Sequence, residues 1–249
     1  MQGDQVLVCY ARPGDFDGPA REQLHACLDG EEQERLARFR FERDRHIYLV
    51  AHALTRALLA RALGASRPET LHFVREAHGR PELADAHQGV ARLRFNLSHT
   101  QGLVACGVCW EHDIGVDVEQ VERRLDMESL APTVLGPGEL ENLRSLPMAA
   151  QRVRFFEFWT LKEAYLKAVG EGLGLPLRSI DFQVPGPSPI TGATVRFGPE
   201  LDDDPERLRY LCWPIPPGHQ LSLAVGGPPD LPVRLQYVSG SALLHALQR

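Results

Sequence analysis

Apolar residues along this chain recur with two different periods. Over residues 43–63, RDRHIYLVAHALTRALLARAL, Ile47, Val50, Leu54 and Leu58 return at helical spacing. That predicts one long helix, with Gly64 placed to stop it. Residues 149–169, AAQRVRFFEFWTLKEAYLKAV, predict a second long helix ended by Gly170. A further helical stretch begins near Ala20, after the turn RPGDFDGP. Elsewhere short apolar or alternating runs are broken by turn residues, the mark of strands. VLVCY (6–10) reads as a buried strand, and the sequence from Leu71 to Val74 as another. RLRFNLSH, LVACGVCW and IGVDVE supply three more in the middle of the chain. HGRPEL reads as a turn, because Gly79 and Pro81 bracket Arg80. After Gly170 the chain is rich in Pro and Gly, with strands predicted at TVRF, RLRYLCW and LSLAV. This order of helices and strands predicts an α+β fold. A boundary near Glu111–Asp113 would divide the chain into 1–112 and 113–249.

Composition narrows the class. At 249 residues the chain suits one large domain or two lobes, and 43% hydrophobic with 24% charged residues is the balance of a soluble globular protein. No apolar run approaches the ~20 residues of a membrane span. The start, MQGDQVLVCYARPGD, lacks the basic-then-apolar pattern of a secretory signal. Five cysteines are an odd number spread over a long chain, which points away from a disulfide framework and toward a cytoplasmic setting. A net charge of -6 argues against broad nucleic-acid binding. One basic stretch stands out. Between Arg35 and Arg61 lie seven arginines (35, 38, 40, 43, 45, 56, 61) against Glu42 and Asp44. It is either a solvated helix face or a surface for phosphate or an acidic partner.

Three groups carry candidate chemistry. On a strand, Asp117 and Glu119 of IGVDVE point to one face. They are either a solvated acidic edge or two oxygen ligands for a hard cation such as magnesium. On the second long helix Trp159, Glu163 and Lys167 are four apart and share a face. The plain reading is a core tryptophan and a supporting ion pair. The functional one makes Glu163 a third ligand or a base, and Lys167 a phosphate partner. Ser98 and His99 of FNLSHT end a strand before a turn, where hydroxyl, imidazole and turn amides can hold a phosphate. Two patterns are decoys. Cys106 and Cys109 are spaced C-x-x-C inside a strand-like run, where positions three apart face opposite ways. G-E-G-L-G after Val169 follows a helix rather than a strand, so it is no dinucleotide-binding loop.

In order and spacing, F-N-L-S-H, I-G-V-D-V-E and F-W-T-L-K-E-A-Y-L-K resemble the signature of 4'-phosphopantetheinyl transferases, in the Sfp-type branch whose last motif carries Trp and Lys-Glu-Ala. The resemblance extends from about Glu31 to Ser179, including H-G-R-P and G-L-G-L-P-L. It implies two similar α+β lobes in one chain, a pseudo-dimeric fold with the active site in the cleft between them. It implies magnesium-dependent transfer of 4'-phosphopantetheine from coenzyme A to a serine of an acyl or peptidyl carrier protein, releasing adenosine 3',5'-bisphosphate. Carried over by position, Asp117, Glu119 and Glu163 would hold the metal, with Glu163 also the candidate base. Ser98 and His99 would contact the coenzyme's phosphates, and Lys167 the diphosphate or the attacking serine. Arg80 of H-G-R-P stands where the family often has Lys and would approach the adenosine 3'-phosphate or base. Arg35 fits one upstream basic position, whereas Glu32 stands where a relative carries Lys, leaving Arg38, Arg43 and Arg45 open as replacements. The carrier is expected to be an acidic helical bundle and the enzyme a monomer. Two other readings stay open: a coenzyme A-binding module without chemistry, and a magnesium-dependent nucleotide pyrophosphatase.

Overall fold

A computed structural model of the chain describes residues 5–65, 67–75, 79–84, 91–170 and 174–240. They divide into two units, one within Met1–Glu111 and Asp230–Arg249, the other His112–Pro229.

In the first unit, strand β1 (Val6–Ala11) leads into three helices, α1 (Pro19–Ala26), α2 (Gly30–Ala37) and α3 (Glu42–Leu63). A small hairpin follows, β2 (Phe73–Arg75) and β3 (Pro81–Leu83), then the long hairpin β4 (Leu93–Thr100) and β5 (Leu103–Trp110). The last strand of the chain, β11 (Val233–Tyr237), pairs in parallel with β1, giving the order β11-β1-β5-β4. α3 packs across β4 and β5. Ile47, Val50, Leu54 and Leu58, the residues that predict the helix, are all buried there. Gly64 closes the helix in the left-handed conformation, φ 69°, where a side chain would be strained.

The second unit repeats this plan. Strand β6 (Ile114–Gln120) leads into α4 (Met127–Val134), α5 (Pro137–Ser145) and the long α6 (Met148–Val169). Then come β7 (Ile180–Gln183), β8 (Ile190–Phe197), β9 (Arg209–Ile215) and β10 (His219–Val225), in a sheet ordered β6-β10-β9-β8-β7. α6 packs on β6 and β10. Gly115 permits that approach. A Cβ there would stand 2.0 Å from the Ala164 carbonyl oxygen and 2.5 Å from the Ala168 amide nitrogen, so helix backbone lies directly on strand backbone.

Two sequence expectations need correction. The final segment, placed by the sequence in 113–249 with the C-terminal lobe, groups from Asp230 onward with the first unit, because β11 completes its sheet beside β1. HGRPEL is not turn throughout: Pro81–Leu83 is a strand, with Gly79 at φ 84° before it. Glu76–His78, residues 171–173 of the G-E-G-L-G segment and the first four residues of the N-terminal stretch lie outside the described residues. Among the described residues no helix is long and apolar enough to cross a membrane.

Candidate active site

Asp117 and Glu119 project from the same face of β6, opposite Ser222 and Gln220 of β10. Glu163 and Lys167 lie one turn apart on α6, which packs on that strand. The Lys167 ammonium donates to Asp117 Oδ1 at 2.7 Å and to the Val116 carbonyl at 3.2 Å. Asp117 is buried, while Glu119 and Glu163 are half-buried. Arg123 Nη1 lies 3.2 Å from Glu119 Oε1. Burial first, and then the charges of Asp117 and Glu119, raise the Glu163 carboxyl above the ordinary carboxylate range. Lys167 and Arg123 oppose that rise without cancelling it. The second unit thus brings together all four of its sequence-predicted residues.

This donor set fits a hard cation: three carboxylates, two of them on one strand face, close enough to disfavour the ionisation of the third. As they stand, Lys167 and Arg123 balance part of their charge. Among the described residues, no three His, Cys, Asp or Glu side chains are drawn up as a ready metal-binding group. Asp117, Glu119 and Glu163 are the residues that would hold the ion.

A second lysine in the same motif has another task. Lys162 is fully buried and pairs with buried Glu139 of α5 at 2.7 Å, while donating to the Leu177 and Ile180 carbonyls. Glu139 in turn accepts from the Gly136 and Phe182 amides. Burial lifts its carboxyl to about 7. The pair fixes α6 against α5 and β7, one residue from Glu163.

The coenzyme residues expected from the sequence lie in the first unit. Ser98 is buried and His99 exposed on β4. Arg80 reaches Glu82 Oε1 at 3.0 Å, and Arg94 meets the same oxygen. Arg35 lines an open pocket of about 1040 Å3 with Arg38, His72, Arg75 and Tyr48. Of the upstream arginines left open, Arg38 joins Arg35 there, whereas Arg43 pairs with Asp44 and Arg45 with Glu42. Glu32 has a structural task. It closes the capping box of α2 with Asp29, and it binds His52 Nδ1 at 2.7 Å and Arg56 Nε at 2.5 Å. Buried Arg56 also bonds Asp29 and the Pro68 and Leu71 carbonyls. It is therefore an internal strut, not part of a basic face. Of the decoys, Cys106 and Cys109 both lie buried within β5, and burial pushes the Cys106 thiol up to about 12. Sequence reasoning missed Arg123, because four residues along an extended strand would hold it far from Glu119 and only the turn after Gln120 brings it back.

Comparison with known proteins agrees with the motifs. The sequence pattern of the 4'-phosphopantetheinyl transferase superfamily matches residues 113–213, and that of the 4'-phosphopantetheinyl transferase N-terminal region matches residues 19–109. The chain is 40% identical over 154 residues to the 4'-phosphopantetheinyl transferase HetI of Nostoc sp., covering 61% of this chain and 63% of HetI. It is 32% identical over 176 residues to a putative 4'-phosphopantetheinyl transferase of Synechocystis sp., covering 71% of this chain and 68% of that protein. A more distant likeness, 25% identity to the 4'-phosphopantetheinyl transferase Sfp of Bacillus subtilis, extends over 90% of this chain and 92% of Sfp. The chain thus spans somewhat under two thirds of HetI and about two thirds or more of the other two. With these matches falling on the segments that carry the carboxylates and the upstream arginines, the chain belongs to the 4'-phosphopantetheinyl transferase superfamily.

Proposed function

We propose that this protein transfers 4'-phosphopantetheine from coenzyme A to a serine of a carrier protein, with magnesium, releasing adenosine 3',5'-bisphosphate. The observation that carries the reading is the gathering of Asp117, Glu119 and Glu163 with Lys167 on β6 and α6. Nothing in a purely structural role requires three carboxylates to repel one another at a strand–helix contact. An enzyme that must neutralise a diphosphate while a hydroxyl attacks it has use for them.

Asp117, Glu119 and Glu163 would hold the magnesium, which supplies charge neutralisation on the diphosphate when bound. Lys167, already beside Asp117, adds a positive charge for the same oxygens. Glu163 is the proposed base. Burial and its two acidic neighbours favour its protonated form, the direction that suits a group meant to accept the serine proton. Ser98, His99, Arg80 and Arg35 are the proposed contacts to the phosphates and adenosine of the coenzyme. A carrier with an acidic surface suits the exposed arginines Arg38 and Arg43.

Calorimetric titration with coenzyme A tests the donor half of the reading. His99→Ala and Arg80→Ala should each weaken binding about tenfold or more, the loss of one charge-assisted hydrogen bond. With 3'-dephospho-coenzyme A, Arg80→Ala should change little. Unaltered affinity in both variants would remove these residues from the coenzyme site.

A further inference from the structure

Arg123 lies near enough to Glu163 for its charge to oppose the rise of that carboxyl, and it is held more firmly than a surface arginine needs to be. Its guanidinium carbon lies 5.5 Å from the ring centres of both Phe156 and Trp159. Its Nη1 lies 3.2 Å from Glu119 Oε1. The pair is four residues apart, but helical spacing does not create it. β6 ends at Gln120, and the next residues form a turn closed by the Arg123 amide on the Gln120 carbonyl at 3.2 Å. Helix α6 clamps that turn. Arg152 donates from Nε to the Val121 carbonyl at 2.7 Å and from Nη2 to the Arg123 carbonyl. The turn is therefore fixed at its backbone by Arg152 and at its side chain by two rings of the helix that carries Glu163.

We propose that Arg123 is a positioning residue. It holds Glu119, on the strand, in a fixed orientation relative to Glu163, on the helix, and Trp159 holds Arg123. The inference deepens the magnesium reading above and rests on it. Three features support it. A guanidinium is planar and always charged, so one of its nitrogens can meet Glu119 while its plane lies near two rings, which an ammonium cannot do. Two aromatic faces hold it where solvent is partly excluded, so the contact is stronger than an exposed ion pair. The contact falls on a carboxylate oxygen of Glu119, one of the three proposed ligands. Hydrogen-bond partners of this kind behind a ligating carboxylate are worth about 10–100-fold in metal affinity. The arrangement also gives the tryptophan of the Trp/Lys-Glu-Ala motif a task beyond filling core: it stands one turn before Glu163 and supports the arginine that orients Glu119.

Binding of Mn2+ to the full chain with coenzyme A present, read as free Mn2+ by electron paramagnetic resonance against a coenzyme-only control, tests this without reference to turnover. Arg123→Met keeps the aliphatic stem over the rings and should weaken Mn2+ binding roughly 10–100-fold. Arg123→Lys keeps the charge without the planar guanidinium, and should fall between Met and the wild type while guarding against a folding artefact. In a Glu119→Gln background, Arg123→Met should cost nothing further. Mn2+ binding by Arg123→Met as tight as wild type or tighter, or an equal loss in both backgrounds, overturns the proposal alone. A wild-type chain that takes up no Mn2+ overturns the magnesium reading and this proposal together.

Discussion

The two units follow one plan, and they can be matched residue by residue from their helices. In each, a threonine on the long helix bonds back to its own helix, Thr55 to Ala51 and Thr160 to Phe156. In each it also reaches the middle strand, where Thr55 meets the Cys106 thiol and Thr160 meets the Ser222 hydroxyl at 2.7 Å. Across the ladder, Cys106 faces Cys9 and Ser222 faces Asp117. Counting on from these anchors, Glu119 corresponds to Ala11, Glu163 to Leu58 and Lys167 to Ala62. The three carboxylates and Lys167 thus have apolar counterparts, with Cys9, Ala11 and Leu58 in the core of the first unit and Ala62 packed against it. Gly115 corresponds to Leu7, and the helices differ accordingly: α6 settles on β6, α3 across β4 and β5. The same plan therefore carries the clustered carboxylates and Lys167 in one unit and apolar packing at the matched places in the other, and the difference resides in about five positions.

Paired substitutions at matched positions break or sharpen this contrast. The largest effect belongs to Asp117→Ala, which should abolish transfer while the protein stays folded. Cys9→Ala, its counterpart, should cost about 1 kcal/mol of stability and leave the rate alone. Next, Glu163→Gln should lower turnover by roughly 10²–10⁴, the usual range for a lost general base. Its counterpart Leu58→Ala should cost about 2–5 kcal/mol in a denaturant titration without changing kcat. Gly115→Ala forces α6 away from β6, because its methyl would meet helix backbone. It should cost about 1–3 kcal/mol and reduce activity as well, since strand and helix carry the carboxylates separately.

The smallest effect is a pH dependence. The folded-state pKa of Glu163 is raised above its unfolded value near 4.5, so its stabilising contribution is full below that pH and is lost as pH rises through the folded value. In metal-free buffer, Glu163→Gln should therefore gain melting temperature relative to wild type as pH rises above about 4.5. Saturating magnesium should shrink that gain. A difference independent of pH would mean that neither burial nor Asp117 and Glu119 raises the Glu163 carboxyl.

The legible parts of the fold were those with long or strict periods. Both 22-residue helices and the strands at Leu93–Thr100, Leu103–Trp110 and Ile114–Gln120 stood out because each buries one regular face or runs apolar throughout. The short helices α2, α4 and α5 did not. α5 nonetheless announces itself through Pro137 in its first turn and Glu139, whose carboxylate accepts from the Gly136 amide at the helix start. β11 could not be placed locally, because its partner β1 lies more than two hundred residues away in sequence and nothing in VRLQY names it. For the site, period two put Asp117 and Glu119 on one face and period 3.6 aligned Glu163 with Lys167. The roles of Arg56, Lys162 and Glu32 were hidden, since a buried charge is distinguished from a solvated one only by the partners that tertiary folding supplies.

Mass spectrometry of an unmodified carrier protein incubated with this chain, coenzyme A and magnesium measures the central claim most directly. The carrier should gain the mass of one phosphopantetheine on its serine, with adenosine 3',5'-bisphosphate released in equal amount, and neither product should form with Asp117→Ala or in excess chelator. A carrier of unchanged mass beside intact coenzyme A, across acyl and peptidyl carriers alike, would contradict it, as would full modification by Asp117→Ala.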